Sequence, residues 1–261
     1  MTTTGGTMTT PTTGIAVERE PRLLGQTVVV IGGSAGIGLE TARLAGSEGA
    51  AVILTGRDPE RLAQAATDVS ARSSAAFDAD DAAAVKRFFG ELPAPIDHVL
   101  VAAYTRRSQG PMLEIPSEEV GRGVGRRVTQ VLEIARHAAP KMRPGGTLLL
   151  TGGSVRKFDR EAGITPAAFA VLPPFTAALA LELAPVRVNL IQAAFVDTAL
   201  VASLFEDEGA VEARREELRA TLPIGRVVGP ADIAALAVHL MTNTAVTGAV
   251  YDIDGGQRLI E

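Results

Sequence analysis

The segment VVVIGGSAGIGLETA, residues 28–42, decides the fold. In it, an apolar, β-branched run leads directly into three glycines, Gly32, Gly36 and Gly38, and then into a helical pattern. The first glycine permits a tight turn, the second lets the backbone approach a pyrophosphate, and the third lets the helix pack close to the strand. Glycines often only close a turn, but these stand at the start of a βαβ unit, where phosphate binding needs them. The segment therefore predicts a nucleotide-binding strand–turn–helix.

The rest of the chain alternates between short apolar runs and longer helical patterns. Strands bounded by helices are buried on both faces, so they read as continuous apolar runs. The pattern predicts an α/β fold with a single Rossmann-type, doubly wound parallel sheet flanked by helices over residues 21–261, after a flexible Thr/Gly-rich tail at 1–20. The predicted strands are 27–33, 51–57, 74–80, 98–104, 146–153, 187–193 and 248–256. The predicted helices are 37–50, 59–72, 81–92, 117–142, pieces of 199–220, and 230–241.

Composition narrows the classes of function. The 261 residues are 46% hydrophobic and 21% charged, which suits one α/β domain with a substantial core. The net charge of −5 argues against a general nucleic-acid binder. The absence of cysteine excludes disulfides and thiolate metal sites. The histidines, His98, His137 and His239, are far apart in sequence, so no metal site is expected.

Two segments bear on location. The first 20 residues lack the basic start and apolar core of a secretory signal. The longest apolar stretch, 167–186, has about membrane-spanning length, but prolines and Glu182 interrupt it and it lies within regular α/β alternation. A core helix explains this stretch better than a membrane span. A cytoplasmic location is expected, with no membrane partner.

The glycine spacing G-x-x-x-G-x-G resembles the T-G-x-x-x-G-x-G fingerprint of the short-chain dehydrogenase/reductase family, with Ile31 in place of the threonine. The resemblance covers residues 23–260 and includes LALELAPVRVN, VDTAL, and LPIGRVVGPADIAALAVHLM followed by TGAVYDIDGG. It implies a nicotinamide nucleotide cofactor and oxidoreductase chemistry. It also implies that Asp78 contacts the adenine and Thr198 the nicotinamide carboxamide, while a loop cap and a helix N-cap are the alternatives for these residues. The implied cofactor-binding residues are Gly32, Ser34, Gly36, Ile37, Gly38, Arg57, Asp78 and Thr198.

The end of the second predicted strand, VILTGRDPE, bears on the choice between NAD and NADP. NAD-preferring enzymes place a carboxylate near the ribose 2′-hydroxyl, where it repels a 2′-phosphate. The family position for that carboxylate is Gly56, and Arg57, which follows it, can bind a phosphate with two hydrogen bonds. Asp58 precedes Pro59 and fits a helix cap better. We therefore expect NADP(H) as the cofactor, with a solvated surface side chain as the alternative for Arg57.

The catalytic residues of the family, Asn, Ser, Tyr and Lys, are replaced in this chain. Counting back from LALELAP puts Thr165 at the tyrosine position and Phe169 at the lysine position. The serine position falls at Gly152 or Gly153, and the asparagine position at Arg127. No tyrosine of the chain is followed four residues later by a lysine. Threonine is far too weak an acid to replace the phenol, so the usual general acid is absent.

Two prolines alter the helix that would carry the tyrosine and the lysine. Pro173 and Pro174 each lack an N–H, and Pro173 is expected to push Leu172 out of the α region. The stretch 164–172 should therefore not be the regular start of the long helix. That helix should begin, or restart after a kink, near Pro173 and run to about residue 184.

Polar residues near the same cleft are possible substitutes. Tyr104 lies at the carboxyl end of a predicted strand, where open α/β sheets bind ligands, and Ser154 lies just past the serine position. These two are the candidate catalytic residues, and Arg127, Arg156 and Lys157 are cations expected nearby. The alternatives are a packed tyrosine, a loop serine and solvated cations.

The first functional hypothesis is an NADP(H)-dependent oxidoreductase of unknown substrate that acts without the usual four residues. The alternatives are a catalytically silent nucleotide-binding sensor or scaffold, and a non-redox enzyme, such as a lyase or cyclase, on the same fold. The resemblance also implies a homodimer or homotetramer built on helices 117–142 and 173–184.

Overall fold

The computed structural model describes residues 20, 22–103, 111–154, 163–205 and 207–260. Within them, seven parallel strands form one sheet in the order β3-β2-β1-β4-β5-β6-β7. The predicted α/β fold is confirmed, and the predicted tail lies, up to residue 19, outside the described residues. The strands are β1 Thr27–Ile31, β2 Ala51–Gly56, β3 Ser73–Ala76, β4 Ile96–Val101, β5 Met142–Gly153, β6 Arg187–Ala193 and β7 Val250–Ile253. The helices are α1 Gly36–Ser47, α2 Pro59–Asp68, α3 Ala82–Glu91, α4 Ser117–Ala138, α5 Thr165–Ala170, α6 Leu172–Glu182, α7 Ala199–Ala202, α8 Glu208–Thr221 and α9 Pro230–Thr242.

Alternate strand residues feed two hydrophobic layers, one on each face of the sheet. In β1, Val29 and Ile31 pack into the layer that α3, α4 and α6 cover, whereas Val28 and Val30 pack into the layer under α1, α2 and α9. Successive side chains of a strand point to opposite faces, so a strand covered on both sides needs an apolar residue at every position. This requirement explains the continuous apolar runs of the sequence.

A carboxylate fixes the start of α2, as the sequence predicts. Asp58 Oδ1 accepts hydrogen bonds from the backbone nitrogens of Glu60 at 3.0 Å and Arg61 at 3.1 Å. Pro59 takes the first helical position, where its missing N–H has no intrahelical acceptor to lose. The first turn of α2 is therefore tied directly to the end of β2.

The long apolar helix is interrupted at Val171, between α5 and α6. The predicted break is confirmed, because Pro173 and Pro174 fall in the first turn of α6, where amides lack intrahelical acceptors. One detail of the prediction was wrong, because Leu172 is the first residue of α6 and is not excluded from the helix. The stretch before the break forms a short helix of its own, α5. Prolines in a first turn start the second helix without unwinding the chain before them.

Among the described residues, one helical stretch, Thr165–Glu182, is apolar and long enough to cross a membrane by length and composition. In the structure, its side chains Leu172, Thr176 and Leu179 are buried, and α6 packs on β6. This stretch is therefore a layer of the α/β core.

The chain changes direction across the sheet between β1 and β4. From β1 it moves outward to β2 and β3, and it then returns to place β4 on the other side of β1. In sheets of this kind, ligands bind outside the carboxyl ends of the strands at that switch point. The β1–α1 turn and the ends of β2 and β4 therefore border the expected site.

Candidate functional site

A cavity of about 360 Å³ opens at the carboxyl ends of β1, β2 and β4. Its walls also include the loop after β3, Gln130 of α4, and α7. The predicted cofactor-binding residues all line it: Gly32, Ser34, Gly36, Ile37, Gly38, Arg57, Asp78 and Thr198. The structure thus brings the predicted set together, and their contact with a nucleotide stays a prediction.

The glycine turn has no room for side chains at two positions. A Cβ on Gly38 would lie 2.1 Å from the carbonyl oxygen of Gly32, and a Cβ on Gly32 would lie 2.5 Å from the backbone nitrogen of Ala103. Gly32 and Gly36 also have φ angles of +90° and +54°, which side chains disfavour. Opposite the turn, Thr198 Cγ2 lies 3.4 Å from the position of a Cβ on Gly36. The turn is a bare backbone cradle of the kind that a pyrophosphate fits.

The amino end of α1 has no side-chain cap. Its N-cap residue, Ala35, makes no side-chain hydrogen bond, and the first turn holds no acidic residue. The first-turn amides of a helix have no intrahelical acceptors, and the helix dipole adds a partial positive charge there. An anionic group in the cavity would accept hydrogen bonds from these amides and would be attracted by the partial positive charge.

One wall of the cavity is formed where β2 ends. A Cβ on Gly56 would lie 3.1 Å from Ser34 Oγ and 3.2 Å from Ser34 Cβ, so a carboxylate side chain at this position would have to displace Ser34. The next residue, Arg57, is exposed and lines the cavity. Asp58 Oδ1 is occupied by the α2 cap. Gly56, the predicted position of that carboxylate, therefore has no side chain, and the guanidinium-bearing Arg57 follows it.

Asp78 and Thr198 both form the local caps that were their alternative roles. Asp78 Oδ1 accepts from the Asp80 nitrogen at 3.0 Å, and Thr198 Oγ1 accepts from the Val201 nitrogen at 3.3 Å as the N-cap of α7. A carboxylate has a second oxygen, and a hydroxyl that accepts one bond can still donate another. Capping and nucleotide contact are thus compatible at both residues.

Gly153 and Phe169, at the predicted serine and lysine positions, are in contact with each other. A Cβ on Gly153 would lie 2.7 Å from Phe169 Cε2 and 2.8 Å from Phe169 Cδ2. Beside it, a Cβ on Gly152 would lie 3.0 Å from Leu172 Cδ1. The aromatic ring at position 169 therefore occupies the space that a serine at 153 would need, while Thr165 begins α5. Gly153 and Phe169 therefore form one packing unit.

Arg127, at the asparagine position, is 3% exposed. Its Nη1 donates to the carbonyl of Ala103 at 2.9 Å and to Gln130 Oε1, and its Nη2 donates to the carbonyl of Thr151. Gln130 in turn donates from Nε2 to Asp80 Oδ1 at 2.8 Å. The interpretation of Arg127 as a solvated cation was wrong, because its guanidinium joins the carboxyl ends of β4 and β5. The sequence held one signal of this burial: Arg127 stands at helical spacing from the buried residues Val131 and Ile134 of α4.

Gln192, near the carboxyl end of β6, did not stand out in the sequence. It pairs with Gly152, and its Cγ lies 3.8 Å from the position of a Cβ on that glycine. Its Nε2 has a long contact, 3.5 Å, with the carbonyl of Gly153. The one signal for Gln192 was an amide within the apolar run RVNLIQA. A polar donor therefore stands beside the replaced serine position.

The candidate catalytic residues have different outcomes. Ser154 is half-buried after β5, and its backbone nitrogen donates to the carbonyl of Ala193 at 2.8 Å. It is not among the described residues that line the cavity. Tyr104, Arg156 and Lys157 lie outside the described residues.

A family model described as enoyl-(acyl carrier protein) reductase matches residues 32–258, which is most of the chain. Two relatives that match at least 90% of this chain carry the name short-chain dehydrogenase/reductase. The chain belongs to the short-chain dehydrogenase/reductase family. Family membership confirms the resemblance drawn from the glycine spacing and the carboxyl-terminal motifs.

Two relatives span nearly the whole of this short-chain dehydrogenase/reductase. It is 24% identical over 255 residues to short-chain dehydrogenase/reductase malC of Malbranchea aurantiaca, which covers 91% of this chain and 96% of that protein. It is 28% identical over 240 residues to carbonyl reductase family member 4 of Danio rerio, which covers 89% of this chain and 98% of that one.

Solved structures share the same fold. The MalC reductase/Diels-Alderase of Malbranchea aurantiaca superposes with a TM-score of 0.82 at 23% identity, covering 92% of this chain and 99% of that one, which bears on the fold alone. A small-chain dehydrogenase in complex with NADPH superposes with a TM-score of 0.74 at 26% identity, covering 90% of this chain and 99% of that one.

Proposed function

We propose that this short-chain dehydrogenase/reductase binds NADP(H) in preference to NAD(H) and is an oxidoreductase that works without a Tyr–Lys pair. The observation that carries the proposal is the cavity in which the bare glycine turn meets Arg57. A related chain of the same fold, 26% identical, is known in complex with NADPH, which supports the choice of nucleotide.

Each wall of the cavity suits one part of the dinucleotide. The turn at Gly32–Gly38 and the uncapped start of α1 would hold the pyrophosphate. Asp78 would bind at the adenine end, and the Thr198 hydroxyl, beside Gly36 of the turn, at the nicotinamide end. Arg57 would bind a 2′-phosphate, and no side chain at Gly56 opposes it.

Bound NADPH supplies a hydride at its nicotinamide ring. Near the predicted serine position, Arg127 joins the carboxyl ends of β4 and β5, and the Gln192 side chain lies beside Gly152. Neither group is a general acid with a pKa near neutrality, because a guanidinium and an amide do not release protons there. A proton that the reaction requires must come from another group, for which Tyr104 and Ser154 are the first candidates.

The cofactor preference is tested by titration calorimetry of the wild type with NADPH and with NADH. We expect micromolar affinity for NADPH, weaker binding of NADH, and loss of the preference in Arg57→Asp, because the new carboxylate repels the 2′-phosphate. Arg72→Asp, which reverses an exposed charge outside the cavity wall, is the matched control. NADH binding as tight as that of NADPH in the wild type would contradict the proposal.

Turnover is tested with ketones, aldehydes and secondary alcohols. We expect little or no NADP(H)-linked reaction, because a lost general acid removes about 10²–10⁴-fold in rate. The double substitution Thr165→Tyr and Phe169→Lys should not restore activity, since Gly153 still offers no hydroxyl. Rapid ketone reduction by the wild type that neither Tyr104→Phe nor Ser154→Ala reduces would contradict this mechanism.

A catalytically silent nucleotide-binding protein is the second candidate. The observation in its favour is the Phe169 ring packed on Gly153, where the family's lysine and serine would face the substrate. The two candidates differ in one measurement, made on a substrate panel wider than ordinary ketones, aldehydes and secondary alcohols. The oxidoreductase consumes NADPH with at least one substrate of that panel, whereas the silent protein binds NADPH and consumes none.

We also propose a cytoplasmic homodimer or homotetramer. The proposal rests on the family resemblance, and Leu181 of α6 is 84% exposed, so it is available for a contact with a partner. In α4, Gly123 serves contacts within the chain, because a Cβ there would lie 1.9 Å from Ile164 Cδ1, whereas Gly121 and Gly125 face open space. A monomer in light scattering at micromolar concentration would contradict the oligomer.

A further inference from the structure

Two arginines line the cavity, Arg57 and Arg61, and Asp78 is the one carboxylate among the described lining residues. Neither guanidinium forms a hydrogen bond or ion pair in the part of the chain that the structure describes. Many other arginines are paired; Arg215, for example, bonds Asp197 at 2.8 Å. An arginine pair that shares a cavity without intramolecular partners is therefore a specific feature of this site.

The backbone holds Arg61 in place. Its nitrogen donates to Asp58 Oδ1 at 3.1 Å within the α2 cap, so the first turn of α2 is anchored to the residue that follows Arg57. Two guanidiniums that face one cavity repel each other, and an anion between them removes that repulsion. The arrangement therefore favours a ligand that carries negative charge.

We propose that Arg61 is a second specificity-determining residue that binds the 2′-phosphate of NADP(H) together with Arg57. The inference rests on the proposed NADP(H) site and adds a residue to it. A 2′-phosphate offers several charged oxygens, enough for two guanidiniums to donate charge-assisted hydrogen bonds. NAD(H) has a neutral 2′-hydroxyl at that place, so Arg61 should contribute to the binding of NADP(H) and not to that of NAD(H).

The test compares Arg61→Gln with the wild type in titrations with NADPH, NADH, 2′,5′-ADP and 5′-AMP. Glutamine keeps the helix propensity of the site and removes the charge. We expect binding of NADPH and 2′,5′-ADP to weaken about tenfold, with binding of NADH and 5′-AMP unchanged. The matched control is Arg87→Gln, an exposed arginine of α3 outside the cavity wall, which should change none of the four affinities. Thermal midpoints of both variants establish that they are folded.

The outcomes separate this inference from the proposed function. If Arg57→Asp weakens NADPH binding and Arg61→Gln does not, the NADP(H) site stands and the role of Arg61 is refuted. If Arg61→Gln weakens NADPH and NADH equally, Arg61 does not read the 2′-phosphate. If the wild type binds neither nucleotide, the proposed function fails and the role of Arg61 fails with it.

Discussion

Two regions lie at the carboxyl ends of the strands: the predicted nucleotide end, at the glycine turn 32–38, and the predicted catalytic end, at Gly152 and Gly153. They use glycine in opposite ways. At the nucleotide end, Gly32 and Gly38 keep the backbone bare, and the space beside them is open cavity. At the catalytic end, the space above Gly152 and Gly153 is filled by Leu172 and the Phe169 ring. One end thus keeps the shape that a ligand needs, and the other has become an extension of the hydrophobic core.

The difference shows that the residues at the predicted catalytic positions are linked by packing. A serine at Gly153 would collide with Phe169, and a lysine at Phe169 would leave the apolar contact with Gly153 empty. The residues at positions 153 and 169 therefore depend on one another, whereas the predicted cofactor-binding residues line an open cavity. Selective changes at each end can test this contrast.

The largest effect is expected at the nucleotide end, from Gly38→Ala. The new methyl group would lie 2.1 Å from the carbonyl of Gly32, so the turn must move away from α1. We expect NADPH binding to be lost and the free energy of unfolding to fall by about 3 kcal/mol, measured by calorimetry and urea denaturation. The control, Gly121→Ala, places its methyl group where nothing lies within 4 Å and should stabilise α4 by up to about 1 kcal/mol. If Gly38→Ala bound NADPH as tightly as the wild type, NADPH binding would not need the bare glycine turn, and the contrast between the two ends would fail.

The second effect is a loss of folding stability at acid pH, which sets the lowest pH at which the two ends can be compared. His98, buried on β4 away from the crevice, bonds through Nε2 to Gln26 Oε1 at 2.6 Å. Burial lowers the pKa of His98 from 6.5 to about 4, with Asp97 opposing and Arg187 adding to the shift. The unfolded chain therefore takes up this proton at a higher pH than the folded protein does. Above pH 6.5, His98 is neutral in both states and costs no free energy of unfolding. That free energy falls by about 3 kcal/mol as the pH drops from 6.5 to 4.

Urea denaturation across this pH range measures the loss, and His98→Asn provides the reference. The variant has no imidazole to protonate, so its stability should change less between pH 6.5 and 4. Equal slopes for the wild type and His98→Asn would show that another group is responsible.

The smallest expected effect tests the packing unit at the catalytic end. Gly153→Ser should lower the free energy of unfolding by about 1–3 kcal/mol, because the side chain meets the Phe169 ring. In a Phe169→Ala background the same substitution should cost at least about 1 kcal/mol less, since the ring is gone. A double-mutant cycle by urea denaturation gives the coupling. Additive effects would show that the two positions changed independently and would weaken the contrast between the ends.

Much of the site was predictable because its features are local. The Asp58 cap of α2 follows from an aspartate before a proline, and the break at Val171 follows from two prolines in sequence. Arg127 was misjudged, because an arginine is ordinarily solvated and nothing in the sequence marks the two strand ends that receive its hydrogen bonds. Gln192 was overlooked for a similar reason, since its neighbour Gly152 belongs to another strand.

By itself the sequence determined the order of strands and helices, the glycine turn, the cap of α2 and the helix break. Those features follow from hydrophobic periodicity and from the backbone limits of glycine and proline, which act within a few residues. Only the tertiary structure decided that Phe169 fills the place above Gly153 and that Arg61 shares a cavity with Arg57. Such contacts depend on strand order, strand register and the direction of each helix, because these set which distant side chains meet.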